Sequence, residues 1–291
     1  TDTYRNTTGG INAGDSFTGP GDATDNTLIG YDAGTAITTG DYNTAFGSYA
    51  LEDNTTASNN TAVGYSAMEA VSTGSDNTAV GSHAGDAITT GAQNVAMGRN
   101  ALLANTTADN NVAIGYNSLD ANTTGELNTA VGASALSANT TADHNTAVGA
   151  AALVSNTTGT NNTSLGRNSL YTNTTGGNNV AVGNAALSAS TTASYNVALG
   201  VSALSSNTTG ANNTAIGYQS LLTNTTGNKN IAVGNASLYA NTTGAENTAL
   251  GYNSLTANTT GGSNTAVGHK ALEANTEGTQ NVAVGSYALD A

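Results

Sequence analysis

The chain has 291 residues, with five basic and nineteen acidic side chains, a formal net charge of −14, and no cysteine or tryptophan. Val, Ile, Leu and Phe together number 45, too few to fill a conventional globule of this length. So few basic residues (Arg5, Arg99, Arg167, Lys229, Lys270) exclude a nucleic-acid partner and attraction to anionic membranes; no apolar run of about 18 residues is present to insert into a bilayer, and the absence of cysteine excludes disulfides and thiolate metal sites.

The first element in chain order, residues 1–25, is an atypical N-terminal coil or cap. Asn6-Thr7-Thr8-Gly9-Gly10 matches a turn that recurs later, but Asn12 precedes Asn26 by only 14 residues and Pro20 lies between them, so a shorter first coil is expected. Terminal coils of solenoids are commonly irregular because one face lacks a neighbour. Asp2, Asp15, Asp22, Asp25 and Asp32 make this end acidic. Calcium is the one candidate cofactor there, without any calcium-loop spacing.

From Asn26 to the end at Ala291 the chain repeats every 17 residues. Runs equivalent to Asn111-Val112-Ala113-Ile114-Gly115 start at Asn26 and recur through Asn281 in sixteen copies without an insertion. One unit reads N-T-A-V-G-Y-x-A-L-x-x-N-T-T-G-x-x, numbered here as positions 1 to 17. Positions 1 and 5 are Asn and Gly in every copy, as in Asn111, Asn128, Asn145, Asn162 and Asn179, and Gly115, Gly132, Gly149, Gly166 and Gly183. Position 4 is always large and apolar, and position 9 is Leu in thirteen copies. Gly34 and Gly85 lack a side chain at position 9, but each has an Ile at position 12, Ile37 and Ile88, which reads as compensation.

These features predict an all-β fold, a parallel β-solenoid of sixteen 17-residue coils over residues 26–291 with two short strands per coil. Positions 2 to 4 alternate as a half-buried strand; positions 7 to 10 read as a second strand with Leu inward. Gly at position 5 permits positive φ, and Asn-Thr-Thr-Gly at positions 12 to 15 turns the chain back. The expected core is the position-4 and position-9 pairs, such as Val131 with Leu136 and Val148 with Leu153. Position-1 Asn side chains are expected to stack as an amide hydrogen-bond ladder.

The motif N-T/V-A-V/I-G-x-x-A-L resembles the head repeats of trimeric autotransporter adhesins. It is also similar to the NTAVGxxAL arrays of phage and bacterial tail-fibre-like proteins. The resemblance covers residues 26–291. It implies a left-handed β-roll, usually a homotrimer, located extracellularly on a cell or virion surface.

No catalytic chemistry is legible. His83, His144 and His269 fall at positions 7, 17 and 6 of distant units, without metal-ligand spacing or a recurring nucleophile. Glu52, Glu69, Asp120, Glu246 and Glu273 read as solvated surface. Tyr31, Tyr65, Tyr116, Tyr218 and Tyr252 share position 6, where they pad the turn or form a stripe for sugar stacking. The functional expectation is a non-enzymatic subunit of an extracellular fibre, filament or adhesin, the alternatives being a phage tail-fibre shaft and an ice- or glycan-binding solenoid. The expected partners are further copies of the chain, in a trimer or end to end, and surface glycans or host receptors. The small position-3 residues, among them Ala130, Ala147 and Ala181, suggest a chain–chain interface. Asn-Thr-Thr also meets the N-glycosylation pattern at Asn54, Asn105, Asn122, Asn139, Asn156, Asn173, Asn207, Asn224, Asn241 and Asn258, and the rival reading there is plain turn chemistry.

Overall fold

The computed structural model describes residues 5–17 and 22–290. The chain forms two compact units, residues 1–144 and 145–291, and both are parallel β-solenoids. The first carries eight three-residue strands, β1 (Thr7–Gly9) to β8 (Thr129–Val131), and the second nine, β9 (Thr146–Val148) to β17 (Val282–Val284). Within each unit consecutive strands pair in parallel, from β2 onward at a register of 17, as Thr44 with Thr61 and Thr163 with Val180. No helix occurs among the described residues.

The first coil is longer than its successors, not shorter. Thr7 faces Thr27, and the Asn26 N–H donates to the Asn6 Oδ1 at 2.9 Å across 20 residues. Asn6 therefore holds position 1 and Gly10, with φ +127°, position 5. Asn12 instead falls at position 7, where its amide donates to Asp32 at 2.7 Å.

Strand polarity is the main departure from expectation. Position 3, not position 4, faces the interior: Ala130, Ala147 and Ala181 are fully buried, while Val131 and Val148 are half-exposed. Several larger position-4 residues lie further out, with Phe46 56% and Leu165 46% exposed. The position-3 alanines are thus core residues within one chain and cannot form an interface between chains. Leu136 and Leu153 at position 9 are buried as expected. In most coils the interior holds one large aliphatic side chain, this leucine, and the facing strand presents only a methyl group; the coil of Gly34 buries Leu28 at position 3 with Ile37, and that of Met68 adds Val71.

The expected second strand is absent. Positions 7 and 9 have positive φ, as in Ser134 (+55°) and Leu136 (+53°). This left-handed backbone places neighbours on the same side, so Ala135 and Leu136 at positions 8 and 9 are both buried. A pleated strand would send them to opposite faces. The segment still bonds along the stack: Ser134 N–H donates to the Tyr116 carbonyl of the preceding coil at 2.9 Å, and Leu119 N–H to the Ala135 carbonyl of the following one at 2.9 Å.

The compensation at position 9 holds in space. Ile37 and Ile88 are buried, and a Cβ added at Gly34 would lie 2.9 Å from the Ile37 Cδ1, as one at Gly85 would from the Ile88 Cδ1. The isoleucine reaches the volume that leucine fills elsewhere.

Gly115 has φ +133°, and a Cβ there would lie 2.7 Å from the carbonyl carbon of Gly132 in the next coil. Gly115→Ala combines backbone strain with a collision against main chain, and it is expected to cost at least about 2 kcal/mol, read as a lower urea midpoint at unchanged slope.

Candidate functional site

The inward polar residues include the invariant Asn of every unit. The position-1 asparagines make up to three kinds of bond. In the first unit, the Asn128 N–H donates to the Asn111 Oδ1 at 3.0 Å, while its Nδ2 donates to the same oxygen at 3.3 Å and to the Ala142 carbonyl of its own coil at 2.8 Å. In the second, Asn162 donates from N–H and Nδ2 to the Asn145 Oδ1 and from Nδ2 to the Gly176 carbonyl at 2.9 Å, and Asn179 continues the series. The expected ladder is present, and it also closes each coil across its width. Gly115, Gly132, Gly149, Gly166 and Gly183 all have φ between +132° and +136°, as their turn role requires.

A second amide ladder was not foreseen. The position-12 asparagines Asn54, Asn105, Asn122, Asn139, Asn156, Asn173, Asn207, Asn224, Asn241 and Asn258 are fully buried. The Asn122 Nδ2, for example, donates to the Asn105 Oδ1 at 3.0 Å and to the Gly125 carbonyl at 2.9 Å. Glycan attachment consumes that nitrogen and needs it exposed, so these sequons are not glycan sites in the folded chain. They are interior turn residues. Their Asn-Thr-Thr spelling carried the signal, but it reads identically for an exposed turn.

In the second unit this ladder breaks once. At position 12 of the coil beginning at Asn179 stands Ser190, too short to reach the preceding coil. The Ser190 Oγ and the Asn173 Oδ1 are left buried without a hydrogen-bond partner. Ser190→Asn would supply the missing donor; a position-15 alanine such as Ala193 is no obstacle, since Asn139 pairs with Ala142 in the same way at 3.0 Å. A gain of about 1 kcal/mol is expected, seen as a raised melting temperature.

The outward surface carries the titratable groups. Among the described residues no three His, Asp or Glu side chains are placed to share a metal ion. At the acidic end Asp2 lies outside the described residues; Asp25 pairs with Arg5, and Asp32 accepts from Asn12. His83 Nδ1 lies 3.1 Å from Asp86, while His144 and His269 sit on other coils, so the three histidines are not brought together.

Aromatic rings are gathered more than position 6 alone predicted, because position 7 contributes as well. Tyr31, Tyr49, Tyr65 and His83 form an edge-to-face row over four successive coils, with centroids 5.5, 5.6 and 5.3 Å apart. In the second unit His269 stacks on Tyr252 at 5.4 Å and meets Tyr287 at 5.0 Å. No ring lies beside Tyr116 or Tyr218 among the described residues.

Carboxylates at position 10 flank these rings. Glu52 is raised above its ordinary range by partial burial and then by Glu69, Asp32 and Asp53. Burial also raises Asp86, against the lowering hydrogen bond from His83. Lys270 is raised by its hydrogen bond to Glu273, 3.0 Å away. Asp120 is raised chiefly by burial, although its own N–H and that of Ala121 donate to it, and its Oδ1 has no partner.

A carboxyl whose folded pKa lies above its unfolded value near 3.9 adds stability only in acid, and that contribution is lost as pH rises through the folded pKa. Asp120→Asn is therefore expected to raise the melting temperature at neutral pH and to give no advantage below the unfolded value. Paired thermal melts at the two pH values check it.

Comparison of the chain with protein-family models, curated proteins and solved structures gives no match.

Proposed function

We propose that this chain is a non-enzymatic structural subunit of an extracellular surface fibre, which assembles with copies of itself. The reading rests on the outward face of the strands. Positions 2 and 4 of all sixteen units are Thr, Val, Ile, Leu, Phe or Met, and none is charged. In the first unit Ile29, Phe46, Met97 and Ile114 lie exposed in register, and in the second Leu165, Leu199, Ile216 and Leu250. A solvated strand face has no need of large aliphatic residues in coil after coil, and a contiguous apolar surface of this kind marks a docking site.

The occupant that fits best is a second copy. A face that repeats every 17 residues is matched by the same face with the same repeat, and closed symmetry buries it on every protomer. The resemblance to adhesin head and tail-fibre repeats supports a homotrimer in which each subunit turns this face towards the shared centre, on a cell or virion surface. The interior supports a passive scaffold: its polar atoms are used up in amide ladders, which leaves few groups for chemistry.

Sedimentation of the full chain is expected to give three times the 28.5 kDa subunit mass. Replacing Met97, Ile114 and Val131 together by Lys is expected to yield monomers with unchanged far-ultraviolet dichroism, because these side chains touch no core. A wild-type monomer at every concentration overturns self-assembly, and a trimeric variant moves the interface to another face.

A further inference from the structure

One arrangement of residues recurs on the surface formed by positions 6, 7 and 10. In the second unit Lys270 at position 7 bonds Glu273 at position 10, and its Nζ lies 5.9 Å from the ring centroid of Tyr287 on the following coil. In the first, His83 at position 7 meets Asp86 at position 10, 3.1 Å away, with the Tyr65 ring of the preceding coil 5.3 Å distant. Each time a basic nitrogen of the chain sits between a carboxylate and a tyrosine.

Carboxylates stand at position 10 of two further successive coils, Glu52 and Glu69, on the same surface as the row of Tyr31, Tyr49 and Tyr65, but without a basic residue at position 7. Here position 7 is Tyr49 in one coil and the buried Ser66 in the next. Neither glutamate makes an ion pair among the described residues. Crowding is evident: Tyr49 is raised by partial burial, then by the neighbouring tyrosines and by Asp32 and Glu52, and Glu52 by burial and three other carboxylates. Exposed tyrosine rings and carboxylates on one surface are surroundings that favour an alkylammonium ion, through cation–π attraction and charge together.

We infer that Tyr49, Tyr65, Glu52 and Glu69 form a binding site for an organic ammonium group of the lysine side-chain type, carried by another molecule. The supporting comparison is internal, since a position-10 carboxylate is paired with the chain's own Lys270 at position 7 in one unit, whereas Glu52 and Glu69, with Tyr49 and Ser66 at position 7, have no such cation in the other. The inference concerns the position 6–7–10 surface and is independent of self-assembly through the strands.

The test is calorimetric titration of the full chain with pentalysine and with spermidine at neutral pH and low salt. Saturable pentalysine binding is expected. It should weaken about tenfold or more in Tyr49→Leu and in the pair Glu52→Gln with Glu69→Gln. The pair Glu126→Gln with Glu277→Gln, which removes the same charge from exposed sites elsewhere, should leave it within about twofold. Spermidine binding as tightly as pentalysine points to a free polyamine as ligand, and preference for pentalysine to a protein side chain; both support an ammonium site. Three results overturn it: equal loss in the control pair, which means diffuse attraction to the net charge; unchanged affinity in Tyr49→Leu; or binding of neutral cellopentaose but not pentalysine, which makes the row a sugar platform.

Discussion

The position-1 asparagine is the constraint on which each unit depends. One side chain accepts from the backbone N–H of the following coil, donates to the amide oxygen of the coil before it and donates to a carbonyl on the opposite wall, as Asn162 does with Asn179, Asn145 and Gly176. A coil of 17 residues has too little apolar content to hold its shape by burial alone, and its turns would otherwise leave buried carbonyls unpaired. The carbonyl at position 15 accepts from both amides of its coil, Gly125 from Asn111 and Asn122 at 2.9 Å each. That two-sided demand explains why neither asparagine gives way readily to another polar residue.

Much else follows from the width those bonds set. Walls held this close admit, in most coils, one leucine, alanine or serine opposite it and glycine or alanine at position 15. The leucine sits at positive φ, +50° for Leu119 and +53° for Leu136, a conformation unfavourable for a bulky residue. It persists because the left-handed turn lets two consecutive side chains point inward where a strand would allow one. The remaining apolar residues have no interior place, so they line the outside of the strands, and that exposed apolar face is a by-product of a crowded core.

The irregular coils show which parts of this design carry the burden. Isoleucine at position 12 displaces the second amide where leucine is missing, and Val71 does so beside Met68, all buried; the second ladder can therefore be given up for volume. Ser190 gives it up for nothing visible in the structure and leaves two orphaned oxygens. Nowhere from Asn26 onward is the position-1 amide exchanged. Polar side chains at position 16 add a lesser tie between coils, with Asp109 accepting from the Ala92 N–H at 2.7 Å and Ser194 from Gly177 at 3.0 Å.

The amino-acid sequence by itself determined the period, the parallel stacking, the turn at Gly115 and its equivalents, the asparagine ladder and the exchange of leucine for isoleucine around Gly34 and Gly85. All of these are consequences of identity at fixed spacing, which a repeat makes visible without coordinates. Tertiary structure alone decided which face of each strand turns inward, because the alternation of Ala130 and Val131 is the same read from either side, and hydropathy favours the wrong one. The distance to the opposite wall settles it, and that distance depends on Leu136, Asn139 and Gly125 together. It also decided that Asn122 is an interior residue and not a glycan site, and that Tyr49 and His83 join Tyr31 and Tyr65 in one row. A turn sequence carries no information on which side of it the core lies, and ring contacts between coils depend on a left-handed backbone at position 7 that no side-chain pattern there announces.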